Sequence, residues 1–172
     1  AKIFSAKKRK VLIFMPLQTT DMSLVPSGQL EPLDMISGFL VRPGFFNTSG
    51  ATIIPGGVNF TIQSHKAYSC ELLLFHRKAE NPFAVIPFPE HYKIGFVYSM
   101  IVFGLDIEDF EYAYSLDGPY DEKKGLRFDN TKNLLDPYAR AVTGQSKWGC
   151  MTCSQHGPRA RGARHHFHWG RE

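Results

Sequence analysis

Between Tyr120 and Trp148 the chain gathers Tyr120, Arg127, Asn130, Lys132, Tyr138 and Trp148, flat aromatic rings mixed with fixed polar groups. That mixture suits pyranose rings, whose C–H faces stack on Tyr and Trp while their hydroxyls need polar partners. The same stretch has a structural reading: Leu134 and Leu135 with Pro137 and Tyr138 could anchor a loop, and Trp148 could pack on a neighbouring domain. A second group, Asp106, Glu108, Asp109 and Glu111, holds the paired carboxylates that glycoside hydrolysis uses. Alternation with Ile107, Phe110 and Tyr112 puts them instead on the solvated side of a turn and strand start, where nothing raises one carboxyl's pKa. A third is Cys150-x-x-Cys153 followed by His156, with His165, His166 and His168 beyond. Thiolates and imidazoles at such separations can close a tetrahedron around zinc. No second ligand pair at regular spacing completes the set, so neither metal nor cofactor is expected, and Cys150, Cys153 and His156 are the only candidates for one. His65, His76 and His91 stand alone and read as surface or structural histidines.

The element that must carry the aromatic loop precedes it. Phe110, Tyr112 and Tyr114 alternate with Glu111, Ala113 and Ser115, the pattern of a β-strand with one aromatic face. Asp117-Gly118-Pro119 ends that strand, and the polar, turn-rich segment after it reads as an ordered functional loop. Upstream, Val58, Phe60 and Ile62 alternate with Asn59, Thr61 and Gln63, predicting a strand with one face buried and one wet. Glu71 to Phe75 is apolar on both sides and suits a central strand covered on both faces. The stretch from Val85 to Phe88 is an edge strand because of its prolines, Phe96 to Leu105 is a further strand, and Asp106 to Asp109 a polar turn. Many short strands at regular spacing predict an all-β, immunoglobulin-like β-sandwich with long loops and irregular N- and C-terminal tails. Cys70 reads as a small buried hydrophobe, and three cysteines do not form a disulfide framework.

Several separated motifs carry a resemblance. Pro43-Gly44, Gly50-Ala51-Thr52 and Gly57-Val58-Asn59-Phe60 come first. Tyr112-x-Tyr114-x-x-Asp117-Gly118-Pro119-Tyr120-Asp121, Gly125-x-Arg127-Phe128 with Lys132, and Leu134-Leu135-Asp136-Pro137-Tyr138-Ala139 follow. Together they resemble the N-terminal domain of bacterial glycogen-debranching enzymes and isoamylases, carbohydrate-binding module family 48, which precedes a glycoside hydrolase family 13 barrel. The resemblance covers roughly residues 41–169. It implies a module that contacts an α-glucan (glycogen, amylopectin or branched dextrin) or braces the catalytic barrel domain, in a parent that hydrolyses α-1,6-glucosidic branch linkages. Phe167-x-Trp169-Gly170 is similar to the family's connector, although His165, His166 and His168 stand where acidic residues are usual.

Length and charge set the remaining bounds. At 172 residues the chain is too short for a (β/α)₈ barrel of about 250 residues, so no catalytic residue is expected and the chain alone should be inactive. With a net charge of only +4, no phosphate loop and no basic surface interleaved with aromatics, no nucleic-acid partner is expected. The basic run Lys7 to Lys10 and the apolar Val11 to Met15 are cut by Pro16 and Gln18, so neither a secretory leader nor a membrane partner is expected, and the cytoplasm is the expected compartment. Pro26, Gly28, Pro32, Gly38, Pro43 and Gly44 punctuate residues 19–46, which read as a linker. The expected division is an extension or linker over 1–40, the sandwich over 41–145 and a connector over 146–172. The competing reading is a structural interaction domain without sugar affinity.

Overall fold

Strands with alternating apolar residues can satisfy their backbone only by pairing, and can bury their apolar side only against a second sheet. The computed structural model, which describes residues 30–144 and 157–163, meets both demands with antiparallel strands throughout. In chain order they are β1 (Asp34–Ile36), β2 (Phe39–Pro43), β3 (Gly50–Ile54), β4 (Gly57–Gln63), β5 (Ser69–His76), β6 (Ala84–Pro87) and β7 (Lys93–Ile94). There follow β8 (Val97–Phe103), β9 (Phe110–Asp117), β10 (Tyr120–Asp121), β11 (Leu126–Arg127), β12 (Ala141–Thr143) and β13 (Arg159–Arg161). One sheet has the order β1-β2-β8-β4-β3, with β7 beside β8; the other runs β12-β13-β9-β5-β6, and β10-β11 is a separate hairpin. This is the immunoglobulin-like sandwich that the strand spacing predicts.

The core lies between the sheets. Val58, Phe60, Ile62, Met100 and Val102 of the first meet Leu72, Leu74, Ile86, Tyr112 and Tyr114 of the second. Each such large side chain stabilises the fold by roughly 1.5–3 kcal/mol when fully buried. Phe60 meets Tyr112 edge-on, ring centroids 5.4 Å apart, so the aromatic face of β9 is core. On β5, Leu72 and Leu74 enter this core while Leu73 and Phe75 join Ala113 in a smaller cluster on the outer side of the sheet. Both faces of the strand are therefore covered, and β6 lies at the edge as its prolines require.

Tyr112 and Tyr114 share this face but differ in their hydroxyls. Tyr112 donates to Asp136 Oδ2 at 2.7 Å, whereas the Tyr114 hydroxyl has no hydrogen-bond partner among the described residues. Burial pushes both phenols up. Tyr114→Phe is expected to leave stability unchanged or to raise it by up to ~1 kcal/mol, whereas Tyr112→Phe should cost about 1.5–3 kcal/mol by depriving a buried carboxylate of a donor. Urea-unfolding midpoints of the two variants check this ordering.

Three expectations are corrected by the packing. Residues 34–43, inside the stretch read as a linker, form the β1–β2 hairpin, where Ser37 and Gly38 both have positive φ (50° and 84°) as a tight two-residue turn demands. The glycine there is a hairpin turn rather than a break, and Ile36 and Phe39 pack on the core. Asn59 and Thr61 are buried rather than wet, because residues 44–46 fold back over this face of β4. Asn59 Oδ1 accepts from the Phe45 amide at 2.8 Å, and Thr61 Oγ1 donates to the Phe45 carbonyl at 3.1 Å and lies 2.9 Å from Ser99 Oγ. Glu111 is also buried, paired with Arg159 Nη1 at 3.6 Å, while Asp109 is exposed and Asp106 and Glu108 are half-buried. Sheet pairing thus extends beyond residues 41–145 at both ends, through β1 and through β13, whose Ala160 pairs with Tyr112.

Candidate functional site

The loop after β9 is held by its own turn chemistry. Asp117 Oδ1 accepts from the Gly118 amide at 2.9 Å, and the Phe128 ring sits where a Cβ on Gly118 would stand, 2.6 Å from its nearest ring carbon. Asp121 caps a one-turn 3-10 helix (Glu122–Lys124), accepting from the amides of Lys123 and Lys124 at 3.1 and 3.3 Å. The hairpin this closes places Tyr120 directly opposite Arg127. Cross-strand partners share a face with Cβ atoms about 4.5–5.5 Å apart. The Tyr120 side is 65% exposed, its hydroxyl donating to Glu122 Oε1 at 3.0 Å, and Arg127 is exposed beside it.

Asn130 and Lys132 occupy the next turn. The Asn130 carbonyl accepts from Ser115 Oγ at 3.0 Å, which pins the turn to β9 and leaves the Asn130 side chain exposed. Lys132 Nζ lies 3.1 Å from Asp129 Oδ2. Hydrogen bonds from Thr131 and then Lys132 hold the Asp129 carboxyl below the usual range. The chain then runs back along β9. Leu134 pairs with Tyr114 through bonds of 2.7 and 2.9 Å, and buried Asp136 accepts from Tyr112 and from the Tyr138 amide at 2.8 Å. Burial raises the Asp136 carboxyl, and the bonds from the Tyr138 amide and Tyr112 oppose that rise.

The stretch Leu134 to Ala139 is therefore an anchor, as the structural reading of the sequence has it, yet the Tyr138 side remains 61% exposed. The candidates do not form one patch. Tyr120 and Arg127 sit beyond the Asp117 end of β9, and Asn130 and Lys132 beside Ser115. Tyr138 follows the Asp136–Tyr112 contact, five residues or about 16 Å back along β9. Trp148, Cys150, Cys153 and His156 lie outside the described residues. Among the described residues no three His, Cys, Asp or Glu side chains are grouped as metal ligands would be.

The sequence reading missed Tyr68. Its amide donates to the Asp117 carbonyl at 2.8 Å, which brings it to the end of the sandwich that bears Tyr120, and it is the most exposed large hydrophobic among the described residues, at 74%. It lies in Ser64 to Tyr68, a turn with no periodicity to mark it, and only the pairing of β5 with β9 brings it to the loop. Asp106, Glu108 and Asp109 connect β8 to β9, at the opposite end of β9 from the aromatic loop.

The chain is an antiparallel β-sandwich with exposed aromatic residues at one end, and comparison with known proteins names the family. Residues 48–139 match Carbohydrate-binding module 48 (Isoamylase N-terminal domain), over half of the chain, and the chain belongs to that family. Isoamylase SU1, chloroplastic, of Zea mays is 32% identical over 104 residues, which are 58% of this chain and 13% of the relative. The glycogen debranching enzyme of Serratia proteamaculans is 34% identical over 104 residues, 60% of this chain and 15% of the enzyme. The chain thus spans about a seventh of these relatives' length. The multi-modular glycogen-degrading pneumococcal virulence factor SpuA matches over 69% of this chain and 12% of its own, with a TM-score of 0.50 and 14% identity, a likeness of fold.

Proposed function

We propose that this module holds an α-glucan at the end of the sandwich formed by the β10–β11 hairpin and Tyr68, within a larger enzyme that hydrolyses α-1,6 branch linkages. The observation that carries this reading is the Tyr120–Arg127 pair. An exposed ring and a guanidinium share one face of a hairpin whose shape is set by the Asp121 cap and by Phe128 seated on Gly118. A ring held in place before the ligand arrives stacks on a sugar at low entropic cost, and the guanidinium donates to its hydroxyls. Tyr68 adds a second exposed ring at the same end, and Asn130 and Lys132 add polar groups. Tyr138 belongs, in this reading, to a separate contact. The chain itself performs no hydrolysis.

Bracing of a catalytic domain is supported by a different observation. Met35 faces Leu40 across the β1–β2 hairpin, on the side away from the core, and both are exposed, as are nearby Leu33 and Phe46. Co-sedimentation with glycogen separates the two roles. Binding that falls about tenfold in Tyr120→Ala, at unchanged melting temperature, is the expected result, since a stacked ring contributes about 1–1.5 kcal/mol beyond its area. Absence of binding by the unaltered chain would leave bracing as its role.

A further inference from the structure

We infer that the stacked His65–Phe96 pair is a second sugar platform, which takes the glucan beyond Tyr120 and Tyr68 and makes the module select for chain length. This rests on the glucan reading above. The two rings lie 4.2 Å apart and within 25° of parallel, and His65 Nε2 is 3.2 Å from Gln63 Nε2, so both planes are fixed without a ligand. Stacking does not hide them: His65 is exposed and Phe96 is 51% exposed. No core residue needs either ring, and an exposed, pre-oriented aromatic pair is the arrangement that receives the flat face of a pyranose.

Its position continues the first platform. Phe96 precedes β8 in one sheet, and Tyr120 follows β9 in the other. The turn Ser64 to Tyr68 crosses between them, with the Ser64 amide on the Phe96 carbonyl at 2.8 Å and the Tyr68 amide on the Asp117 carbonyl at 2.8 Å. The middle of the turn is pinned as well, because the Ala67 carbonyl accepts from the Tyr98 hydroxyl at 2.9 Å and from Lys93 Nζ at 3.4 Å. Sheets pack about 10 Å apart, so the platforms are separated by more than one sugar ring and joined by a rigid bridge. Gln63 and Lys66 are exposed along it and supply partners for hydroxyls. Separate platforms on a rigid bridge favour a ligand long enough to reach both, since the second contact is then intramolecular.

Calorimetric titration of the full chain with maltose and with maltoheptaose tests this. Maltose, with two rings, occupies one platform only. Phe96→Ala is expected to weaken maltoheptaose about tenfold and to change maltose by less than twofold, while Tyr120→Ala weakens both. His65→Ala, in an exposed turn, reproduces the Phe96 pattern and guards against a folding defect in the first variant, which the melting temperature reports. Unchanged maltoheptaose affinity in both Phe96→Ala and His65→Ala, with weakening in Tyr120→Ala, would overturn the second platform and leave the glucan reading standing. Binding of neither sugar by the unaltered chain would overturn both.

Discussion

Arg159→Ala is expected to lower the unfolding free energy by about 3–5 kcal/mol, the usual cost of stranding one member of a buried ion pair. Arg159 and Glu111 are 7% and 6% exposed, and no water replaces the guanidinium cheaply. The guanidinium also lies over the Phe75 ring, 3.9 Å from its centroid, and donates to the carbonyls of Ala79 and Glu80, the latter at 2.8 Å. Its loss leaves a buried carboxylate, two short-changed carbonyls and an uncovered ring together. Arg159→Lys keeps the charge but not the planar fork that reaches carboxylate and carbonyls at once, so it should recover under half of the loss. Glu111→Leu in the Arg159→Met background, which removes both charges, should recover most of it. Urea unfolding of the four chains decides the matter, and a loss under 1 kcal/mol in Arg159→Ala would mean that the pair is solvated. Arg159 lies beyond residues 48–139, so a chain cut after residue 145 should lose at least as much, with the edge of β9 bared at Tyr112.

That dependence shows what the sequence could and could not reveal. Alternation in β4, β5 and β9 identifies the core faces because it is a local consequence of strand geometry. Whether the outer face is wet depends on what the chain later lays over it. Asn59 and Thr61 are covered by a loop fourteen to sixteen residues away, and Glu111 by a strand much further on. The Asp-Gly-Pro turn was legible because turn chemistry is local, and together with the Asp121 cap it delivers Tyr120 beside Arg127 as a hairpin requires. Tyr68 and Phe96 were not, since their places depend on sheet order. Much of the family's motif proves to be scaffold: Asp136 anchors the loop to Tyr112, and the Asn59 amide holds the chain at Phe45.

Gly44→Ala, which leaves φ unstrained, is expected to lower the unfolding free energy by about 2–4 kcal/mol. A Cβ there would stand 2.2 Å from Ser99 Oγ, 2.4 Å from Asn59 Oδ1 and 2.6 Å from the Met100 amide nitrogen. The hydroxyl and the carboxamide can move, but each is already committed to the bonds that hold residues 44–46 over β4, and the backbone nitrogen has nowhere to go. Relief of the contact must lift the loop, exposing Asn59 and Thr61 or leaving them buried without the Phe45 amide and carbonyl as partners. Gly104→Ala provides the comparison. That glycine has a φ of 76° and nothing within 4 Å of its Cβ position, so its substitution carries only the conformational cost of about 1–2 kcal/mol. The difference between the two variants isolates close approach from backbone strain. Amide hydrogen exchange should quicken at Phe45 in Gly44→Ala and stay unchanged there in Gly104→Ala; a Gly44→Ala unfolding midpoint equal to that of the unaltered chain would show that the loop yields without cost, and that Asn59 and Thr61 do not need its cover.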